Sequence, residues 1–458
     1  MTIEAAATAT KGTLVQRGAA SFCGVTIDSR QVQSRQAFVA IAGDRFDGHD
    51  YWRQAVQAGA VVLVVARPVD GPVPAGISVI HVAETRKALA DLGRAWRWEV
   101  APAVVAITGS VGKTTTKELC RNVLAQAGPT HSTPGNFNND IGLPLTLLSM
   151  DASTRYLVVE MGMNAPGEIA SLTQLTEPCV GVITCVAPVH LEGLGSLEAI
   201  AQAKGELLMG LGPESWAVVP GDEPLLEPYL THIALQRQIR FGTQKTDDVC
   251  LVDVQNRGVE GSNVRLSLRG QEVVIHQPLP GEHNARNTAA AAAVGMVLGV
   301  SLSDIVIALS TAPSMAHRSA IRRLGCWWIF DDCYNANPLA MKAALDTLAQ
   351  CAKGEETIAA LGGMLELGPQ AERFHFEVGA HAAQKGLSYL ITVGPLAIPI
   401  AEGARAAGMD PNRIVHVNQP EEAAQAIKDR AAPKTWILVK ASRGMRLERI
   451  IDVLQLHS

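Results

Sequence analysis

The sequence predicts an α/β protein of three consecutive domains: a small N-terminal α/β domain, a central P-loop domain and a C-terminal Rossmann-like, doubly wound domain. Three observations lead to this prediction. The chain has 458 residues, about three times the usual domain length. Near its first quarter, a β-branched run passes through a glycine-rich loop into a helix-forming stretch. Beyond Pro313, strand and helix patterns alternate, as in a parallel sheet covered by helices.

The N-terminal domain is predicted to span residues 1–102. Gly24–Arg30 and Ala37–Gly43 have the pattern of strands. A charged loop, residues 44–50, follows the second of them. This loop is either a solvated turn or, with its Arg, His and Asp residues beside the D-S-R sequence, a site for a polar ligand.

The central domain, predicted at residues 103–314, opens with the sequence V-V-A-I-T-G-S-V-G-K-T. Val104–Ile107 favours a strand, the loop follows, and a helix is expected from Thr114. Backbone N–H groups and the positive end of a helix dipole attract phosphate at such a loop. Lys113 would add charge at the β- and γ-phosphates, and Thr114 a hydroxyl for Mg²⁺. Ile107 replaces the first glycine of the standard pattern, so the prediction depends on the flanking strand and helix.

Polar residues also follow other strands of the central domain. Glu160 ends a predicted strand where nucleotide hydrolases place an acidic Mg²⁺ ligand, although a strand-end Glu can simply be exposed. His190 follows the next strand and is either a second metal ligand or an ordinary loop residue. Asn138, in the sequence N-F-N-N, belongs either to a turn or to a group that orients phosphate or a metal-bound water.

Lys204 lies in the middle of the apolar stripe of a predicted helix, Ser196–Leu211, with Ser196 as its N-cap. A lysine that faces a core is uncommon unless it is paired or modified. Burial lowers the pKa of a lysine, and a neutral amine reacts with CO₂. The alternative is a lysine at the edge of the stripe whose ammonium extends to the surface.

The end of the central domain contains two further patterns. Residues 249–278 alternate polar and apolar side chains, which predicts an antiparallel hairpin. An alanine-rich helix is then expected at Thr288–Leu298. Asn284 and Asn287, at its start, either cap the helix or bind the edge of an adenine.

The C-terminal domain is predicted at residues 315–458. Its strands are expected at Trp327–Phe330, Thr357–Leu361, Tyr389–Val393, Arg413–Val417 and Thr435–Lys440. In a doubly wound sheet, ligands bind at the carboxyl ends of the strands. That edge would carry the sequences D-D-C-Y-N-A-N-P, G-G-M-L-E-L-G and K-A-S-R-G.

The composition disfavours several classes of protein. A net charge of −5 without a dense basic run argues against nucleic acid and anionic membranes as partners. The 8 cysteines include no C-x-x-C pair, which is typical of reduced thiols and of a cytoplasmic protein. The N-terminus has no apolar signal segment, and no apolar stretch is long enough for membrane insertion. We expect a cytoplasmic monomer.

The motifs resemble, in order and spacing, those of the Mur ligases of peptidoglycan synthesis. The matching features are T-G-S-V-G-K-T, N-F-N-N-D-I-G, Glu160, His190, Lys204, H-N-A-R-N and Arg318. The D-D-C-Y-N-A-N-P and G-G-M-L-E-L-G sequences resemble the branch that joins D-alanyl-D-alanine to UDP-N-acetylmuramoyl-tripeptide. Cys333 and Gly363 stand where that branch usually has Ser and Asp, which weakens the branch assignment slightly. The family also includes the folylpolyglutamate synthetases.

The resemblance implies a three-domain, ATP-dependent amide ligase that forms an acyl phosphate and requires Mg²⁺. It implies ATP binding by Gly109, Ser110, Val111, Gly112, Lys113, Thr114, Thr115, Asn287, Arg318 and Asp332. The implied catalytic residues are Lys113, His190 and Lys204. The implied metal ligands are Thr114, Glu160, His190 and Lys204, the last as N6-carboxylysine. The implied substrate-binding residues are Ser29, Arg30, Asp44, Arg45, Phe46, His49, Asn138, Asn335 and Asn337.

Two other classes of function compete with ligation. A P-loop NTPase that hydrolyses GTP would need a guanine-binding N-K-x-D motif, which the chain lacks. A nucleotide-regulated binding protein would have no turnover and would not need the full set of Lys113, Glu160 and Lys204. Among the ligases, folylpolyglutamate synthetase is the nearest alternative, and the third residue of the tripeptide stays open.

Overall fold

The computed structural model describes residues 1–43, 45–189, 191–313 and 315–456. Over these ranges the strands form three separate sheets that follow one another along the chain, with helices between the strands. The predicted three-domain α/β fold is therefore confirmed. The domain boundaries at 102/103 and 314/315 stay a prediction, although no described strand crosses them. Within the same ranges, no helix combines the length and the apolar character needed to span a membrane.

The N-terminal domain contains a short-stranded sheet between two layers of helices. The strands are β1 Thr13–Gln16, β2 Val25–Thr26, β3 Ala37–Val39, β4 Val62–Val65 and β5 Ser78–His81. The helices are α1 Ile3–Thr10, α2 Trp52–Ala58 and α3 Thr85–Val100. The sheet order is β1-β5-β4-β3-β2, in which β1 is antiparallel to β5 and the other neighbours are parallel. Helices α1 and α3 pack on one face and α2 on the other.

Strand β2 is shorter than the strand predicted at Gly24–Arg30 because a turn follows it. The backbone carbonyl of Asp28 accepts from the N–H of Gln31 at 3.0 Å, and its carboxylate accepts from the N–H of Arg30 at 3.0 Å. An aspartate that bonds to the backbone two residues on favours a turn over a strand.

The central domain contains a large mixed sheet. The strands are β6 Ala103–Thr108, β7 Thr130–Ser132, β8 Tyr156–Glu160, β9 Val180–Ile183, β10 Trp216–Pro220, β11 Gln238–Gly242, β12 Val249–Asn256, β13 Ser262–Leu268 and β14 Gln271–Gln277. The helices are α4 Lys113–Ala125, α5 Gly142–Leu148, α6 Glu168–Thr176, α7 Leu191–Leu194, α8 Leu197–Met209, α9 Glu282–Val297 and α10 Leu302–Ser310. The sheet order is β14-β13-β12-β11-β10-β9-β6-β8-β7, parallel from β7 to β12. The predicted hairpin at 249–278 is confirmed as the antiparallel end of this sheet.

The position of β6 determines where the site lies. Its neighbours are β8 and β9, and the three strands are parallel, so the loops after them meet at one edge of the sheet. All residues of β6 except the first are buried, as expected for a central parallel strand.

Helix α9 packs against α4 behind that edge, and Ala289–Ala293 are fully buried in the contact region. The helix begins at Glu282 instead of Thr288, and its N-cap is Gly281. Asn284 and Asn287 therefore lie inside the helix, and the interpretation of these residues as caps was wrong. The true start was not predicted, because H-N-A-R-N joins the alanine run without a break in the helix.

The C-terminal domain contains a sheet with helices on both faces. The strands are β15 Ala320–Leu324, β16 Trp327–Asp331, β17 Thr357–Gly362, β18 Tyr389–Val393, β19 Ile414–Val417 and β20 Trp436–Lys440. The helices are α11 Pro338–Ala352, α12 Ala371–Gln384, α13 Ile398–Ala406, α14 Pro420–Lys428 and α15 Glu448–Gln455. The sheet order is β15-β16-β20-β17-β18-β19.

Strands β16 to β20 are parallel, as predicted, but β15 is an antiparallel edge strand that the sequence pattern did not predict. Leu324 pairs with Trp327, so only two residues connect β15 to β16. A connection this short permits only antiparallel pairing.

Candidate active site

A cleft of about 850 Å³ lies between the central and C-terminal domains. The central domain contributes the loop after β6, the end of β8, helix α8 and the start of α9, and the C-terminal domain contributes the loops after β16, β17 and β20. Residues that the sequence placed far apart thus meet in one space. The predicted site residues in the cleft wall are Ser110, Val111, Gly112, Lys113, Thr114, Thr115, Asn138, Glu160, Lys204, Asn287, Arg318, Asp332, Asn335 and Asn337.

The loop after β6 depends on two glycines with positive φ, 147° at Gly109 and 86° at Gly112. A Cβ on Gly109 would collide with the side chain of Thr184, and one on Gly112 with the amide of Asn287. Only glycine combines these conformations with such close neighbours. The loop is therefore held between the end of β9 and helix α9.

Hydrogen bonds to the segment after β9 fix the same loop. The Ser110 hydroxyl donates to the carbonyl of Ala187 at 2.9 Å and accepts from its N–H at 2.8 Å. The Thr184 hydroxyl donates to the carbonyl of Val111 at 2.5 Å. Helix α4 starts directly after Gly112, and no described side chain caps it. Its first N–H groups can therefore bind an anion at the loop.

Lys113 is the first residue of α4, and its Nζ donates to the carbonyl of Gly109 at 2.7 Å. Burial lowers the pKa of Lys113, and the nearby carboxylate of Glu160 opposes this effect. The amine thus lies at the phosphate loop, where the sequence predicted it.

Glu160 forms a set of oxygen donors with two neighbours. The Thr114 hydroxyl donates to Glu160 Oε2 at 2.7 Å, and the Asn138 amide donates to Oε1 at 2.9 Å. The backbone N–H of Glu160 donates to the Thr133 hydroxyl at 3.0 Å, which fixes the end of β8. Glu160 is buried at the cleft, so the alternative of an exposed strand-end glutamate was wrong. Hydroxyl and carboxylate oxygens are the ligands that Mg²⁺ prefers, so this set fits the ion.

Lys204 is 2% exposed and lines the cleft from helix α8. The helix begins as predicted, and the hydroxyl of its N-cap Ser196 accepts from the N–H of Ala199 at 3.1 Å. Burial, followed by the charge of Lys113, lowers the pKa of Lys204 to about 7. Among the described residues, Lys113 and Cys185 act on the pKa of Lys204, and no carboxylate does. The burial excludes the alternative of a lysine that extends to the surface.

Two cationic side chains lie close to one aromatic ring on the C-terminal side of the cleft. The Arg318 guanidinium lies 4.0 Å from the centroid of the Tyr334 ring, and that of Arg443 lies 5.6 Å from it. Opposite, the Asn287 amide oxygen accepts from the Thr116 hydroxyl at 3.3 Å. These groups provide positive charge and planar surfaces for a nucleotide.

Asp332, which is partly exposed, forms an ion pair with the buried Lys440, whose Nζ lies 2.5 Å from Oδ2. The N–H of Ser319 donates to Oδ1 at 2.9 Å, and Lys440 also donates to the carbonyl of Asn335 at 2.9 Å. Asn337 caps helix α11, because its side-chain oxygen accepts from the N–H of Ala340 at 2.9 Å. These bonds shape the loop after β16 at the edge of the cleft.

Of the predicted substrate residues of the N-terminal domain, none that the structure describes lines this cleft. The Ser29 hydroxyl donates to Gln54 Oε1 at 2.8 Å, and Arg30 is paired with Asp28 at 2.8 Å. His49 is buried: its Nδ1 lies 2.6 Å from Asp47 Oδ1, and its Nε2 accepts from the N–H of Ala66 at 2.9 Å.

Two further predicted substrate residues, Arg45 and Phe46, lie in the loop after β3. Arg45 and Phe46 are exposed, Phe46 to 70%. Asp44, predicted to bind substrate, and His190, predicted to bind metal, lie outside the described residues.

Tyr334, Lys440 and His283 are among the cleft-wall residues to which sequence reasoning assigned no role. Tyr334 and Lys440 belong to sequences at strand ends that were already expected at the ligand-binding edge. Their position in those sequences could therefore have predicted that they line the cleft. Burial lowers the pKa of His283 to about 4. The sequence contains no signal for that burial, because it results from the contact between two domains.

Comparison with known protein families matches all three parts of the chain. Residues 21–97 match the Mur ligase family catalytic domain, 107–295 the Mur ligase middle domain, and 317–443 the Mur ligase glutamate ligase domain. The chain belongs to the Mur ligase family. The resemblance stated from the sequence motifs is therefore confirmed.

Similar Mur ligases cover nearly the whole chain. A Bacillus subtilis protein is 38% identical over 433 residues, which are 94% of this chain and 93% of the relative. An Escherichia coli protein is 34% identical over 94% of this chain and 93% of its own length. Both are named UDP-N-acetylmuramoyl-tripeptide–D-alanyl-D-alanine ligase.

Solved Mur ligase structures have the same fold. MurF from Acinetobacter baumannii superposes with a TM-score of 0.90 at 31% identity, covering 99% of this chain and 98% of that one. MurF from Thermotoga maritima, solved in complex with ADP, gives a TM-score of 0.83 at 28% identity, covering 95% and 97% of the two chains.

Proposed function

We propose that this Mur ligase joins D-alanyl-D-alanine to the tripeptide of UDP-N-acetylmuramoyl-tripeptide in an ATP-dependent reaction of peptidoglycan precursor synthesis. One observation carries the proposal: the phosphate loop of the central domain and the loop after β16 of the C-terminal domain line the same cleft. A nucleotide held by one domain and an amine held by the other would therefore meet. This chain matches more than nine-tenths of the length of two relatives that are named for this reaction, which supports the choice of substrates.

The nucleotide end of the cleft suits ATP. Residues 109–115 and the start of α4 would bind the phosphates through N–H groups and the charge of Lys113. Arg318, which stacks on Tyr334, would contact the rest of the nucleotide. Asn287 and Asp332 would contact it as well. The ADP complex of the Thermotoga maritima relative supports a nucleotide at this site.

The metal-binding residues would be Thr114 and Glu160 for one Mg²⁺, with His190 and a carboxylated Lys204 for a second. Bound Mg²⁺ would neutralise the negative charge that gathers when a triphosphate and a carboxylate approach each other. Lys204 fits the modification, because it is buried without a carboxylate partner among the described residues and its lowered pKa favours the neutral amine. N6-carboxylation would turn a cation into an oxygen ligand suited to Mg²⁺.

The reaction would proceed in two steps. A carboxylate oxygen of the tripeptide attacks the γ-phosphorus of ATP, the bond to ADP breaks, and an acyl phosphate forms. The amine of the dipeptide then attacks the acyl carbon, loses its proton to solvent, and phosphate departs with the oxygen that came from the carboxylate. Lys113 and the helix N-terminus would stabilise the charge on the transferred phosphoryl group.

The two substrates would occupy different ends of the molecule. The dipeptide would bind near Asn335 and Asn337, between the central and C-terminal domains. The uridine diphosphate would bind the N-terminal domain through Ser29, Arg30 and residues 44–49. That the protein is a cytoplasmic monomer and binds neither nucleic acid nor membranes stays a prediction from the sequence.

Phosphate release measured with a panel of amines tests the proposal. With UDP-N-acetylmuramoyl-tripeptide and ATP, release should require D-alanyl-D-alanine, and glutamate or single D-alanine should not replace it. Tripeptides ending in diaminopimelate and in lysine should be compared in the same assay, because the third residue is open.

Two results would contradict the proposal. Glutamate-dependent release with a folate substrate would favour a folylpolyglutamate synthetase. Phosphate release that needs no amine would favour an NTPase that hydrolyses its nucleotide.

A further inference from the structure

Three side chains that the proposed ligation does not use meet in the C-terminal domain: His317, Asp331 and Cys333. The His317 Nδ1 lies 3.1 Å from Asp331 Oδ1 and 3.5 Å from the Cys333 sulfur. The Cys333 sulfur lies 3.1 Å from Asp331 Oδ1. A nitrogen, an oxygen and a sulfur atom thus form a small triangle.

The dimensions of this triangle fit one face of a tetrahedral metal site. A zinc ion with bonds of about 2.0–2.3 Å places its ligand atoms about 3.3–3.7 Å apart. The three distances here differ from that range by only a few tenths of an ångström. Cysteine, histidine and aspartate are all zinc ligands, and with three protein ligands the fourth position is left for a water molecule.

The geometry does not suit a nucleophilic cysteine activated by histidine and aspartate. In such a triad one ring nitrogen faces the nucleophile and the other faces the carboxylate. Here a single atom, His317 Nδ1, faces both the carboxylate and the thiol. A bound cation instead requires ligand atoms that converge on one point, as these three side chains do.

The surroundings of the triangle allow a cation to enter and to be retained. Asp331 and Cys333 are buried, whereas the His317 side chain is 33% exposed and provides a path from solvent. Among the described residues, the basic side chains paired with Asp331 are His317 and, at 3.9 Å, Arg322. Asp331 is the last residue of β16, and its backbone is fixed by pairing with β15 and β20.

We propose that His317, Asp331 and Cys333 form a binding site for Zn²⁺, separate from the Mg²⁺ site of the ligation reaction. The thiol proton would pass to solvent as the cation binds. A sulfur ligand selects Zn²⁺ over Mg²⁺, which takes oxygen ligands, so the two ions would not compete for this site. Because Arg318 and Asp332 adjoin two of the ligands in sequence, a bound cation would also order the C-terminal wall of the cleft.

Cobalt(II) titration of the full-length protein tests the proposal, because a cobalt–thiolate bond gives an intense near-ultraviolet charge-transfer band. The titration should contain excess Mg²⁺ so that oxygen sites are filled. We expect the band in the parent protein, and added Zn²⁺ at one equivalent should abolish it. Cys326→Ser is the matched control, because it removes an exposed thiol of the same domain.

The band should be absent in Cys333→Ser and present in Cys326→Ser. His317→Gln should weaken cobalt binding by at least about 10-fold while keeping the fold, which thermal unfolding would verify. If Cys333→Ser prevents folding, the cobalt affinity of His317→Gln still tests the proposal. A band that survives Cys333→Ser, or cobalt binding that His317→Gln leaves unchanged, would overturn the proposal, as would a parent protein without a band.

Discussion

The interdomain cleft and the N-terminal domain both contain the polar residues predicted to bind substrates, but their internal bonding differs. In the N-terminal domain, both ring nitrogens of His49 have partners and Ser29 bonds to Gln54. In the cleft, Lys204 is buried without a carboxylate among the described residues, and Arg318 is stacked on a ring. The cleft thus contains a buried amine whose charged form has no carboxylate partner among the described residues, whereas Ser29 and His49 already have hydrogen-bond partners.

This difference indicates how strongly each region should depend on single side chains. A buried charge without a partner costs free energy and is retained where function requires it. In the N-terminal domain, the predicted site residues that bond to their neighbours mainly hold the fold, so we expect their loss to affect ligand binding weakly. Substitutions in the cleft should therefore change turnover, and those in the N-terminal domain should change substrate affinity or stability.

The largest effect is expected for Lys113→Ala. Loss of a preorganised charge at the transferred phosphoryl group should lower turnover by at least about 10²-fold. Phosphate release under saturating substrates measures this change, and thermal unfolding checks the fold.

Lys117→Met provides the matched control for Lys113. Lys117 is another lysine of α4, but it is buried, and its Nζ donates to the carbonyl of Thr133 at 2.6 Å and pairs with Glu118 at 2.8 Å. Its loss should lower thermal stability more than turnover. If Lys113→Ala keeps near-normal turnover, the assignment of the phosphate loop is wrong.

Substitution of Lys204 should lower activity by at least about 10- to 100-fold, because losing a partner that only orients a metal ligand already costs that much. Lys204→Ala and Lys204→Arg should be similarly impaired, because arginine cannot form the carbamate. A ¹³C NMR spectrum of the parent protein with labelled bicarbonate and Mg²⁺ should contain a carbamate resonance that Lys204→Ala lacks.

A small added carboxylate should partly rescue Lys204→Ala by occupying the vacated oxygen position. A fully active Lys204→Arg variant together with a parent spectrum without the resonance would contradict carboxylation of Lys204.

A smaller effect, on acid stability, is expected at His283 in the cleft. Burial lowers its pKa from 6.5 to about 4. Between these values the unfolded chain binds a proton that the folded chain does not, so this group makes the free energy of unfolding fall as the pH drops. His283→Gln should reduce the loss of stability between pH 7 and pH 5, measured by urea unfolding at both pH values.

The exposed His232 supplies the control for this measurement. His232→Gln should leave the difference between the two pH values as it is in the parent protein. An unchanged difference in His283→Gln would show that the burial of His283 does not affect acid stability.

The smallest effect is expected for Arg30→Ala in the N-terminal domain. Arg30 is exposed and paired with Asp28, and its contact with a diphosphate would compete with that pair. The KM for the UDP-linked substrate should rise by about 2- to 5-fold with unchanged kcat, as is typical of an exposed charge. Arg53→Ala, which removes an arginine paired with Asp70 in the same domain, is the control. A large fall in the kcat of Arg30→Ala would contradict the expectation that substitutions in the N-terminal domain change substrate affinity and not turnover.

Those parts of the site that depend on local sequence were predicted well. The run Val104–Ile107 before the loop predicted β6, and the apolar stripe around Lys204 predicted its burial on α8. Glycines at 109 and 112 fixed the loop between them because their neighbours exclude any side chain. In each case the pattern of apolar residues or glycines contained the structural information.

The parts that depend on contacts between distant segments were not predicted. The stacking of Arg318 on Tyr334 requires the loop after β16 to fold back over the preceding segment. The burial of His49 depends on the N–H of Ala66, which belongs to the segment after β4. The edge strand β15 shows no clear alternation of buried and exposed residues, so no pattern marked it.

Transfer of isotopic oxygen tests the central claim, amide ligation through an acyl phosphate in the cleft, most directly. The tripeptide carboxylate is labelled with ¹⁸O, and the inorganic phosphate released with ATP and D-alanyl-D-alanine is analysed by mass spectrometry. The account predicts that each phosphate carries one ¹⁸O and that the other stays in the new amide. Unlabelled phosphate would contradict it, because the γ-phosphoryl group would then have been transferred to water.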